Sequence, residues 1–166
     1  PIVGDAIHDT DIMLWLTGDR IVSAYAQTTD MRGLKNPDIG QTMYRFASGA
    51  TATLETVWCM PEHTPFDIDE RMTVIGTEGL IHIQDTFPNL GIVTKNRGIH
   101  SPDTTYWPEF DGVRGGALRE EFLNFADCAL RGVQPTVSTP VDAMRALQAT
   151  LAAEESARTG QVVKIQ

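Results

Sequence analysis

Apolar positions recur with two periods along these 166 residues. Between residues 21 and 84 they come every second position, the spacing that lays one side of an extended strand on a core. In residues 21–28, Val22, Ala24 and Ala26 fall on one side, and Ser23, Tyr25 and Gln27 on the other. Residues 41–47 set Thr42, Tyr44 and Phe46 against Met43, Arg45 and Ala47. After a Ser48-Gly49 turn, residues 51–59 return with Ala52, Leu54, Thr56 and Trp58 on one side, which predicts an antiparallel hairpin. Residues 71–76 and 80–84 read as two more strands around Thr77-Glu78-Gly79. Residues 30–38 and 61–69, the second carrying His63, read as loops.

The period then lengthens. Residues 117–131 place Leu118, Phe122, Phe125 and Ala129 on one helical stripe, with Gly132 as the stop. A second helix starts at Thr139 as N-cap, with Pro140 at the first helical position and Asp142 completing a capping box. Its expected buried side is Ala143, Met144, Leu147 and Leu151, its stop is Gly160, and residues 162–165 fit a last strand. Both stripes are expected to be core. Between strands and helices lies an irregular stretch, 85–116, with short strands expected at 91–95 and 104–107. It carries Lys95, Arg97, His100, Tyr106, Trp107 and Arg114, side chains suited to a polar ligand. The order predicts an α+β domain, a mainly antiparallel open sheet with helices packed on one face. The other sheet face, rich in Tyr, Thr, Arg and Met, is a candidate subunit interface.

The chain is organised around residues 4–18, GDAIHDTDIMLWLTG. With a helix over 10–17, His8, Asp11, Ile12 and Trp15 share one face, their polar end lies at the helix N-terminus, and Trp15 and Leu16 anchor the other end. An active-site base can be held this way. Two alternatives stand beside it: a structural His8–Asp11 pair at the helix entry, and a metal site of Asp5, His8 and Asp9, for which no further His/Cys cluster speaks.

Composition narrows the classes. A net charge of −9 argues against nucleic acid and anionic membrane surfaces as partners. No apolar run reaches the length of a membrane span, and Cys59 and Cys128 form no CxxC, as expected of buried thiols in a reducing, cytoplasmic setting. The length predicts a single domain, and the Pro1-Ile2-Val3-Gly4 start predicts a piece of a larger protein.

Three stretches together carry a family resemblance. GDAIHDTDIMLWLTG resembles the signature in the C-terminal half of the glucose–fructose oxidoreductase/inositol dehydrogenase/rhizopine-catabolism (Gfo/Idh/MocA) oxidoreductases. Val74-Ile75-Gly76-Thr77-Glu78-Gly79 resembles that family's strand–turn–strand, and the segment from Glu121-Phe122-Leu123-Asn124-Phe125 through Pro135 to Gly160 resembles its last two helices. The resemblance implies that residues 1–166 are the substrate-binding and oligomerisation domain of a two-domain parent, whose Rossmann half binds NAD or NADP. It implies a sugar, cyclitol or related polyol as substrate, and a dimer or tetramer formed through the open sheet. It also implies that His8 assists proton transfer together with a lysine of an E-K-P motif in the other half. Many members carry Asp four residues before this histidine; here that position is Gly4, which leaves three readings: Asp5 as the substitute, a different mode of action, or lost activity. Trp58, His63, Arg97, Tyr106 and Trp107 are the candidates for lining the substrate site. The chain has no G-x-G-x-x-G after a strand, and GVRGG at 112–116 has the wrong spacing, so neither cofactor binding nor turnover is expected of the fragment alone.

Overall fold

A computed structural model describes residues 1–65, 68–84, 90–104 and 106–166. Two compact units divide the chain: residues 1–60 with 136–166, and residues 61–135.

The first unit opens with a π-helical turn, Ile2–Ala6, that runs into α1, Ile7–Thr17. The carbonyl of Pro1 accepts from the N–H groups of both Asp5 and Ala6, each at 3.1 Å, so helical structure begins well before the expected residue 10. Gly18, at φ 59°, closes α1 in the left-handed conformation that glycine adopts without strain. The buried stripe is Ile2, Ala6 and Thr10, with Met13 and Leu14 packed beside it. Trp15, expected as an anchor, is 70% exposed, and Leu16 is exposed too. Apolar residues surround α1 on all sides, so its periodicity did not single out the inward face. The extra turn at the start, which sequence spacing did not reveal, settles it.

Strands β1 (Ile21–Thr29), β2 (Ile39–Phe46), β3 (Thr51–Val57) and β10 (Val163–Lys164) form an antiparallel sheet in the order β10-β1-β2-β3. The β2–β3 hairpin has the expected sides: Thr42, Tyr44 and Phe46 are buried, while Gln41, Met43 and Arg45 are exposed. Helix α3, Pro140–Thr159, lies across the buried side. Its cap is as read from the sequence, with the Thr139 hydroxyl accepting from the Asp142 N–H and the Asp142 carboxylate accepting from the Thr139 N–H. Its buried face is different. Ala146, Ala149, Thr150, Ala152, Ala153 and Ser156 point inward, while Met144, Leu147 and Leu151 are exposed. Tyr44 and Phe46 already fill the space above the sheet, so a stripe of small residues lets the helix come close. Ser156 ties helix to sheet: its Oγ accepts from the Ala26 N–H at 3.0 Å and donates to the Gln161 carbonyl at 2.6 Å.

In the second unit β4 (Arg71–Ile75) pairs with β5 (Leu80–Gln84), β6 (Ile92–Thr94) with β7 (Gly98–His100), and β8 (Glu109–Phe110) with β9 (Val113–Arg114). Helix α2, Ala117–Arg131, has the expected bounds and ends at Gly132. Its stripe is not core: Leu118, Phe122 and Phe125 are exposed, and Cys128 is the buried residue. Periodicity marks an apolar stripe without saying what covers it. Of the strand expected at 104–107, the described residues 104, 106 and 107 are not in a strand. Residue 105 lies outside the described residues, and Tyr106 and Trp107 sit in a bend whose N–H groups bond to the Asp103 carboxylate at 2.8 and 2.6 Å. Parts of the expected loops, residues 66, 67 and 85–89, also lie outside the described set.

Candidate active site

The start of the first helix carries three of the residues singled out by sequence. Asp5 belongs to the π-helical turn and His8 is the second residue of α1. Gly4 and Asp5 lie in the turn that leads directly into His8. A π-helical turn shifts the phase of the residues before it, and such turns are frequent at functional sites. His8 is exposed, and among the described residues no hydrogen bond holds its ring. Its imidazole is therefore open to a ligand hydroxyl.

The fourth member comes from the sheet. β3 ends at Val57, and the Trp58 N–H continues the ladder by donating to the Asp38 carbonyl at 2.8 Å. Asp38 is itself well held. Its buried carboxylate accepts from the Met31 N–H at 2.8 Å and from the Arg32 N–H and guanidinium at 3.2 Å. The Met31 N–H, then Arg32, keep that carboxyl below its ordinary value of 3.8 against the opposing effect of burial. From this fixed backbone the indole reaches α1, where Trp58 Nε1–H donates to Asp5 Oδ2 at 2.8 Å. The same ring lies against Gly4: a Cβ there would sit 3.3 Å from Trp58 Cη2 and 3.7 Å from Cζ2. Trp58 is 47% exposed, so part of the ring faces outward.

Asp11 is half-buried in the second turn of α1, so the sequence reading of it as a helix-entry residue does not hold. It lines a cleft of about 460 Å³ with Trp15, Asp19, Arg20, Ser138, Asp142 and Arg145, among others. The metal alternative finds no support in the geometry: among the described residues no three His, Cys, Asp or Glu side chains are grouped to hold an ion.

The other candidates belong to the second unit. His63 is exposed in the turn after Pro61, and Arg97 is exposed in the β6–β7 turn, its N–H bonded to Thr94 Oγ1. Tyr106 donates its hydroxyl to Glu70 at 3.0 Å, and its ring centroid lies 6.1 Å from that of Trp107. Tyr106 and Trp107 are thus brought together locally. The Trp58–Asp5–Gly4 contact is what sequence reasoning missed. Its only trace in the sequence is a glycine one turn before His8.

Residues 2–82 match the model of the GFO/IDH/MocA C-terminal domain. The chain belongs to this family. Among curated relatives, it is 33% identical over 168 residues to scyllo-inositol 2-dehydrogenase (NAD(+)) of Bacillus subtilis (strain 168), covering 96% of this chain and 46% of that protein. It thus spans about half the length of that relative. Among solved structures, a putative oxidoreductase from Thermotoga maritima is 26% identical with a TM-score of 0.69, over 96% of this chain and 45% of the other. GenD2 from gentamicin A biosynthesis, in complex with NAD, has a TM-score of 0.79 at 23% identity, over 97% of this chain and 46% of the other. At that identity the likeness speaks for the fold alone. Val74–Gly79 spans the end of β4 and the turn into β5, within the matched range.

Proposed function

We propose that this chain is the substrate-binding and oligomerisation half of an NAD(P)-dependent oxidoreductase that acts on a hydroxyl of a sugar, cyclitol or related polyol. The observation that carries the reading is an exposed His8 at the start of α1, its ring without a hydrogen bond among the described residues, on a chain 33% identical to a scyllo-inositol dehydrogenase. Residues 1–166 contain no G-x-G-x-x-G after a strand, so the dinucleotide is assigned to another domain of the parent. When bound there, it would supply the hydride acceptor.

The work of this chain is to bind the alcohol and handle its proton. A neutral imidazole suits that task near pH 7, taking the hydroxyl proton as the carbon is oxidised. His8 is the proposed base, and Asp5, in the turn that leads into α1, is proposed as the second catalytic residue. The outward part of the Trp58 ring offers an apolar face to the C–H side of a polyol ring. Within the second unit, His63, Arg97, Tyr106 and Trp107 are proposed as substrate-binding residues.

The open sheet face is proposed to meet a second copy. Tyr25, Gln27, Gln41, Met43, Thr53 and Glu55 line a shallow depression on it. Light scattering of the full-length protein is expected to give a dimer or tetramer; a monomer at high concentration would remove this part.

The test of the catalytic reading is His8→Ala in the full-length protein, assayed with a panel of polyols and both cofactors. A general base contributes about 100- to 10,000-fold, and a fall of kcat in that range is expected. A second reading, a binding module without chemistry, is motivated by Gly4 in the place of the carboxylate that the resemblance leads one to expect. Tight polyol binding with no oxidation by the intact protein would favour it.

A further inference from the structure

We infer that Trp58 is a positioning residue for the Asp5 carboxylate, and that position 4 is glycine because the indole lies on it. The inference rests on the proposed role of His8. Three observations carry it. The indole N–H donates to Asp5 Oδ2 at 2.8 Å. The six-membered part of the ring packs over Gly4, where even a methyl group would meet Cη2 at 3.3 Å, tighter than most side-chain contacts. The tryptophan backbone is pinned to the Asp38 carbonyl at 2.8 Å, and Asp38 is fixed in turn by Met31 and Arg32.

The carboxylate is therefore held from the sheet as well as from its own helix. Unbonded, the Asp5 side chain would sample several rotamers. Bonded to an indole whose backbone is part of the strand ladder, it is held in one. Trp58 thus acts through Asp5. Gly4 is the vacancy that admits the ring.

The experiment uses the full-length protein with Trp58→Phe, Asp5→Asn and the double substitution. Phenylalanine removes the N–H together with the outer ring that lies over Gly4, whereas Asp5→Asn leaves the indole in place, so the two single changes separate the bond from the packing. Each single change is expected to lower kcat about tenfold, the scale of one hydrogen bond to a charged group, with little change in KM. The double variant is expected to be no worse than either single one, because both remove the same interaction. Multiplying losses would overturn the inference and leave Trp58 a purely structural residue.

A second readout needs no turnover. In ¹⁵N-labelled protein the Trp58 indole N–H signal is the one that Trp58→Phe deletes. It is expected to shift in Asp5→Asn, and to shift in Gly4→Ala as the methyl displaces the ring. A Trp58 signal unmoved by Asp5→Asn would refute the bond itself. If His8→Ala kept full kcat, the catalytic reading would fall, while the indole signal would still decide whether Trp58 holds Asp5.

Discussion

The two units of the chain hold their candidate residues by different means. In the first, each is tied to a core. Asp5 and His8 ride on a helix that buries Ile2, Ala6 and Thr10, and Trp58 extends a strand whose neighbour carries the fully buried Tyr44. In the second, Arg97 sits in the turn of a hairpin with three residues in each strand, and the Tyr106–Trp107 bend is closed by one nearby carboxylate. A group held by a packed core keeps its position at a cost already met by folding. A group held by a local turn depends on a few bonds and is better suited to adapt to what it contacts.

The largest expected effect that sharpens this contrast is at Tyr44. It is 0% exposed, and its hydroxyl lies 3.2 Å from Thr10 Oγ1, joining sheet to helix. Tyr44→Ala removes a fully buried ring and is expected to cost about 3–5 kcal/mol in urea unfolding. A loss under 1 kcal/mol would mean that the sheet and α1 do not share one core. Next comes Gly40→Ala. A Cβ at that position would lie 2.9 Å from Ile2 Cγ1, and Ile2 is itself buried and cannot swing out. A cost of about 1–3 kcal/mol is expected from overpacking. An unchanged midpoint would show that the first turn of the helix moves freely over β2.

Asp38 offers a smaller effect that depends on pH. The Met31 N–H, then Arg32, hold its carboxyl below the ordinary 3.8, so the stability it contributes is fully present above that value. That contribution is lost as pH falls through the lower folded value. The stability difference between the protein and Asp38→Asn is therefore expected to be constant from neutral pH down to about 4 and to shrink below it. A difference that shrank between pH 7 and 5 would contradict the assignment. At the small end, Phe110→Ala in the second unit removes a ring that is 74% exposed, and is expected to change stability by no more than about 0.5 kcal/mol. A loss several times larger would mean that Phe110 belongs to a packed surface.

The same contrast explains what the sequence disclosed. Period-two alternation in 41–47 named the buried side of β2 residue by residue, because one face packs and the other does not. The ends of α2 and α3 were legible because capping is local: Thr139, Pro140 and Asp142 interact within one turn, and Gly132 and Gly160 stand where the helices stop. The inward faces of the helices were not legible. In α3 the large residues drew attention to Met144 and Leu147, whereas the cluster with Tyr44 and Phe46 takes the small side chains of Ala149, Ala152 and Ala153. In α1 the apolar residues run all round, and the π-helical turn that fixes the phase has no sequence signal of its own. For the site, Asp5 and His8 could be named from their spacing and the family resemblance. Trp58 was a candidate by residue type, but its bond to Asp5 joins positions 53 residues apart, and no local pattern announces it.

The most direct measurement is kcat of the full-length protein with and without His8. With a polyol that the intact protein oxidises, His8→Ala is expected to lower kcat by about 100-fold or more while the fold, followed by circular dichroism, is unchanged. An unchanged kcat in a folded His8→Ala protein would contradict the central claim, that the start of α1 carries the base.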